Sequence, residues 1–186
     1  PGDALYGVKT MTEEIRTVLA VSDEAKVSLG LKLAAEKIEE IKRILKERGV
    51  EAKGLDKVLA RLEKNVARVA EAIENKKEKG GDVSGLAKEA SEKLDVEKEK
   101  LNETLRAQRE NLKDKIKNIR EEIKKAREAG DATKIDSLAK ELEAVKAEKN
   151  LLKAKEDEAK EKVKDGEEKI EAEVEIKEAA AKAIAE

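Results

Sequence analysis

Apolar residues recur at helical spacing almost from one end of this chain to the other. Leu5, Val8, Met11, Ile15, Val18 and Leu19 share one stripe. They predict a helix from Asp3 or Ala4 to Ala20, with Asp3 able to cap it. Ser22 is placed to cap a second helix whose face is Leu31, Ala34, Ile38, Ile41 and Leu45. Asp23 and Glu24 stand in its first turn, where negative charge suits the helix dipole, and Gly49 ends it after Lys46 and Arg48. After Gly54 the stripe Leu55, Val58, Leu59, Leu62, Val66, Val69 and Ile73 predicts a third helix, stopped by Gly80 and Gly81.

Beyond Asp82 and Ser84 the pattern lengthens. From Leu86 to about Ala129 there is neither Gly nor Pro, which predicts a rod of roughly 65 Å. Leu94, Leu101, Leu105, Leu112, Ile116, Ile119 and Ile123 mark its seam. Several of these, such as Leu94 and Leu105, lie eleven residues apart, the period of a nearly straight or slightly right-handed seam. Gly130–Asp131 reads as a C-cap followed by an N-cap. The last helix carries Ile135, Leu138, Leu142, Val145, Leu152, Ala159, Val163, Ile170 and Val174 on one face. Folding back at Gly130 pairs residues whose numbers sum to about 261, so Ile123 meets Leu138 and Ile116 meets Val145, although Leu112 then meets Lys149. Asp165–Gly166 is expected to kink or break this helix. The Ala-rich stretch from Glu178 to Glu186 is expected to fray unless covered.

The pattern therefore predicts an all-α chain. An N-terminal three-helix bundle over residues 1–81 precedes a long antiparallel, coiled-coil-like helical hairpin over residues 82–186. The division is also one of charge: 17 basic and 15 acidic side chains over residues 1–80, against 25 and 29 over residues 81–186.

Composition narrows the function. The 186 residues include no His, Cys, Trp or Phe, and one Tyr. Imidazole bases, thiolate nucleophiles, zinc cages and disulfides are excluded. So are ring platforms for stacking bases, and the net charge of −2 argues against nucleic acid as a partner. The carboxylates interleave with Lys and Arg at i, i+4, as in Glu39 and Arg43, the pattern of a solvated helix face. Neither a calcium loop nor a Glu-x-x-His pair occurs. These observations predict no catalytic, cofactor-binding or metal site, no cofactor and no small-molecule substrate. Tyr6 is read as a packing residue, with an anchor for a neighbouring subunit as the sharper alternative. Asn102-Glu103-Thr104 forms a glycosylation sequon placed mid-helix. No uncharged apolar stretch of 18 residues occurs.

The opening Pro-Gly-Asp-Ala-Leu-Tyr-Gly-Val-Lys of Pro1 to Lys9 is followed by Glu14, Leu19, Ser22 to Val27, and then Leu31, Leu33, Ala34, Ala35 and Glu39. Over about residues 1–105 this resembles an uncharacterised family of extracytoplasmic helical domains of bacteria and archaea, which open L-P-G-D-x-L-Y-x-x-K. The resemblance implies a location and no activity: a chain outside the cytoplasm, its leader removed before Pro1. Membrane anchoring would then come only through a removed N-terminal segment. Two alternatives for Pro1 remain, removal of an initiator Met and trimming.

Two functions follow as expectations. The first is a non-catalytic extracellular or cell-surface structural protein, a helical subunit assembling with copies of itself into a filament, layer or stalk. The segments expected to make that contact are Pro1–Met11, Ala179–Ala185 and the outer faces of the hairpin. The alternative is a periplasmic helical adaptor, or a holdase-like binding protein with an exposed apolar groove.

Overall fold

The computed structural model describes residues 12–14, 16 and 19–185, the side chains of 176–185 excepted. Asp3, Leu5, Tyr6, Val8, Met11, Ile15 and Val18 lie outside the described residues. Among the described residues the fold is all-helical. Residues 12–14, 16 and 19 are helical, and four longer helices follow: α1 (Asp23–Arg48), α2 (Leu55–Glu78), α3 (Ser84–Glu128) and α4 (Ala132–Ala185).

The ends of these helices are written locally. The Ser22 hydroxyl accepts the Ala25 N–H at 3.1 Å and caps α1. Between α3 and α4, the Asp131 N–H donates to the Ala126 carbonyl at 3.0 Å and the Gly130 N–H to the Arg127 carbonyl at 3.1 Å. This Schellman closure needs a left-handed residue, and Gly130 supplies it with φ +71°. The Asp131 carboxylate then accepts the Lys134 N–H at 2.9 Å and starts α4.

Ring-free stripes meet only if helices lie close, and the four do so in a ring. α1 packs on α2 and α3, and α4 packs on the same two. Ion pairs fix the directions. Lys76–Glu24 at 2.5 Å and Lys79–Asp23 at 2.7 Å join the end of α2 to the start of α1, so these helices are antiparallel. Lys155–Asp56 at 2.5 Å, Lys162–Glu63 at 2.8 Å and Lys77–Glu173 at 2.7 Å run in step along α2 and α4, which are parallel. One apolar core, from Val27 through Leu62, Val69, Leu94 and Leu105 to Ile170, spans all four helices and crosses the division at residue 81. The hairpin does not stand apart: its lower half supplies two of the four walls.

Its seam also differs from the expected one. Buried positions on α3 include Leu105, Leu112, Ile119 and Ala126, at intervals of seven. On α4 the stripe runs Leu138, Leu142, Val145, Lys149, Leu152, Glu156, Ala159, Val163, Gly166 and Ile170, alternating steps of four and three. This is the period of a left-handed seam, not the eleven-residue period. The cross-helix ion pairs Lys98–Glu167 and Arg109–Glu156 both sum to 265. The nearby sum of 264 sets Leu112 with Leu152, Leu105 with Ala159 and Leu94 with Ile170. That is about one turn from the expected 261, and it removes the clash of Leu112 with Lys149. Leu19, expected on an apolar stripe, is 70% exposed.

Gly166 does not break α4, which runs unbroken through it. It is a notch: a Cβ there would stand 2.7 Å from Val66 Cγ1 and 3.3 Å from its carbonyl carbon. Gly30 of α1 does the same on the neighbouring turn of α2, where a Cβ would stand 2.6 Å from Val69 Cγ2. Two helices thus approach α2 closely through glycines. Gly166→Ala is therefore expected to lower stability in urea unfolding by about 1–2 kcal/mol, overpacking outweighing the gain in helix propensity. Gly85→Ala, with open space around it, is expected to be neutral or stabilising. A stabilised Gly166→Ala would contradict the close approach.

Candidate functional site

Two features stand out from the solvated helix faces. The first is a buried ionic cluster. Lys37 stands on an inward face of α1 between Leu33 and Ile41 and is fully buried. Its ammonium donates to Glu13 Oε1 at 2.7 Å and to Glu40 Oε2 at 3.3 Å, and Arg61 Nη1 of α2 lies 3.6 Å from Glu13 Oε2. Glu13 thereby ties the N-terminal helical residues to α1 and α2. Burial pushes the Lys37 ammonium down, but the hydrogen bond and charge of Glu13, with Glu40, more than offset this and raise it above 10.5. The lysine is thus held charged. With its acids paired to the lysine, the cluster ties the helices together.

The second feature is the upper part of the hairpin. The shared core ends near Leu112 and Leu152, beside Val50 in the α1–α2 loop. Among the described residues, the two long helices have only one another from about 113 to 144; Val145 packs against the shared core and Glu148 lies beside Gly49. Each arm helix reaches roughly 24 Å past the bundle. Ile119, Ala126 and Leu138 are buried there, whereas Ile116, Ile123, Ile135, Leu142 and Val145 stay half-buried. Two helices cover one another's stripe on one side only. Beside Ile116 runs a groove of about 590 Å³ between Lys113, Lys117, Arg120 and Lys124 of α3 and Lys146 and Lys149 of α4, with Glu121 its one carboxylate. On the body, a smaller groove of about 370 Å³ separates α2 from α4. Glu63, Glu71 and Glu74 stand on one side and Glu161 and Asp165 on the other, with Lys162 and Lys169.

The residues singled out in the sequence are not brought together. Glu39 pairs with Lys42 at 2.7 Å, not with Arg43. Asn102 is half-buried in mid-α3, and the Thr104 hydroxyl donates to the Lys100 carbonyl at 3.0 Å. Tyr6 lies outside the described residues. Sequence reading passed over Lys37 and the cationic row on α3. Both carried a signal: a lysine at an apolar-stripe position, and cations at 113, 117, 120 and 124. Among the described residues no helix is long and apolar enough to cross a membrane, and no group of three or more acidic residues is placed to hold a metal ion.

A family model described as Domain of unknown function (DUF5667) matches residues 1–170. The chain belongs to that family. The DUF5667 match corrects the expected extent of the resemblance, which stopped near residue 105. It runs up α3, through the arm and down α4 to Ile170, a fully buried position of the core. No curated protein and no solved structure matches the chain.

Two predictions follow from the charges. Lys37→Met, which strands Glu13 and Glu40, is expected to cost about 3 kcal/mol or more in urea unfolding. Adding Glu13→Gln and Glu40→Gln is expected to recover most of that loss; no recovery would contradict the cluster's role as an ionic tie. At the other end of α1, hydrogen bonding by Lys76, aided by backbone and Ser22 contacts, holds Glu24 at about 2, and Lys79 holds Asp23 below 3.8. A depressed acid stabilises the fold above its unfolded value, 4.5 for Glu24, and that contribution disappears as pH falls towards 2. Lys76→Met is expected to flatten the fall of stability between pH 4.5 and 2. An unchanged slope would show that these pairs do not drive acid unfolding.

Proposed function

We propose that this DUF5667 domain is a non-catalytic structural subunit, extracellular or at the cell surface, that assembles with copies of itself through helix packing. The observation that carries this reading is the arm. Apolar seam residues Ile116, Ile123, Ile135, Leu142 and Val145 are left half-covered at the end of a rod, where a neighbouring helix pair would complete a four-helix layer. In this reading the chain works as two parts, a bundle that gives rigidity and an arm that makes contact. The motif of Pro1 to Lys9, in its resemblance to extracytoplasmic domains, supports the location. The two terminal segments, Pro1–Met11 and Ala179–Ala185, belong to the same proposal.

The test is assembly itself. The full chain at rising concentration is expected to form particles larger than a monomer in analytical ultracentrifugation and negative-stain microscopy. Replacing residues 113–148 by a short glycine-rich turn is expected to leave a folded monomer. A wild-type chain that stays monodisperse and monomeric at high concentration, on its native N-terminus, would overturn the proposal. If that monomer also suppressed aggregation of unfolded client proteins, the adaptor reading would replace it.

A further inference from the structure

The two grooves differ in charge: cations predominate in the arm, and in the body five carboxylates stand against Lys162 and Lys169. In the arm, Lys117, Arg120 and Lys124 on one helix face Lys146 and Lys149 on the other. Lys113 and Lys146 are neutralised within their own helices, by Glu110 and Glu143, each at 2.6 Å. Lys117, Arg120, Lys124 and Lys149 form no ion pair with any other described residue. In the body, Glu71 and Glu74 of α2 face Glu161 and Asp165 of α4, and these four are likewise without an ion pair among the described residues. Across a helix–helix groove, facing charges ordinarily alternate in sign and pair. In the body one such pair, Lys162–Glu63 at 2.8 Å, forms across the groove, but the four carboxylates beside it stay unpaired, and each groove carries an excess of the charge that the other lacks.

The grooves also sit where one molecule cannot join them. Their centres are about 25 Å apart along α4, and their lining positions on that helix lie roughly 140° apart around its axis. A copy can therefore offer its arm to one neighbour and its body to another. Such a heterologous contact propagates instead of closing a two-fold pair.

We infer that the cationic groove of the arm docks on the carboxylate-lined α2–α4 groove of a second copy of this chain. The contact deepens the self-assembly reading and rests on it: it names the two surfaces that meet. It makes assembly electrostatic in its selectivity, with the half-covered Ile116 beside the cations adding apolar area once the charges are matched. Long-range attraction of this kind falls away as salt shortens the screening length from about 14 Å to about 4 Å between 50 and 500 mM.

The experiment is a charge exchange between copies. Lys117→Glu with Arg120→Glu makes the arm acidic, and Glu71→Lys with Glu161→Lys makes the body basic. All four positions are exposed, and circular dichroism checks that each variant keeps its helices. Alone at 50 mM salt, each variant carries the same sign on both grooves, and its threshold concentration for assembly is expected to rise at least tenfold. Mixed in equal amounts the two are expected to assemble again, in alternation, near the wild-type threshold. Wild-type assembly is expected to weaken steeply by 500 mM salt. If both variants assemble like the wild type, this contact is wrong while the self-assembly reading stands. If the variants fail and the mixture also fails, the pairing of the two grooves is wrong. If the wild-type chain binds polyphosphate through Lys117 and Arg120 without assembling, the groove serves an anionic polymer and both readings fall.

Discussion

The fold depends on one stripe: the apolar seam of α4, seven-residue in period, from Leu138 to Ile170. Over its lower half that seam is enclosed by α2 and α3 within a four-helix ring, and Gly166 lets α2 come close enough for ringless side chains to interlock. Over its upper half it has α3 alone. One continuous helix thus supports two levels of burial, and the boundary near Leu112 and Leu152 is set by where α1 and α2 stop, not by any change in the long helices themselves. Aliphatic side chains cannot reach across a gap as an aromatic ring can. Where the shorter helices end, the core ends with them.

Much of this was written in the sequence. Stop and start signals at Ser22, Gly49, Gly80, Gly130 and Asp131 read correctly because capping is local chemistry. The stripes read correctly because a helix has one period. Neighbours were read only in part: the two long helices fold back on one another at Gly130 as expected, but Leu, Ile and Val on one stripe fit Leu, Ile and Val on any other, so the pattern cannot say which further stripes meet. The same ambiguity produced the eleven-residue seam. Leu94, Leu105 and Ile116 lie eleven apart, but burial selects Leu105, Leu112 and Ile119, and the choice is made by the partner helix. Gly166 was misread for the same reason. A helical glycine is a weak point or a notch according to what stands opposite, and Val66 stands opposite.

The charged residues divide similarly. A net charge of −2 conceals a cation-lined groove on the arm and a carboxylate-lined groove on the body, because summing over the chain cancels charges that the fold gathers on different faces. Lys37 was legible in principle as a cation on an apolar stripe, but its partner Glu13 lies 24 residues away, and only the packing of the N-terminal residues on α1 and α2 explains how the lysine keeps its charge. The chain has neither His nor Cys, and many of its acids and bases hold helices together or line the two grooves. That distribution supports the proposed contact between copies.

Hydrogen exchange, followed by mass spectrometry on the monomer and on the assembled material, bears most directly on the central claim that the arm is completed by a neighbour. Amides over 113–148 are expected to exchange quickly in the monomer, well before those of Leu62, Val66 and Leu105, and to slow strongly on assembly while the bundle changes little. An arm already as protected as the bundle in the monomer, and unchanged afterwards, would contradict it.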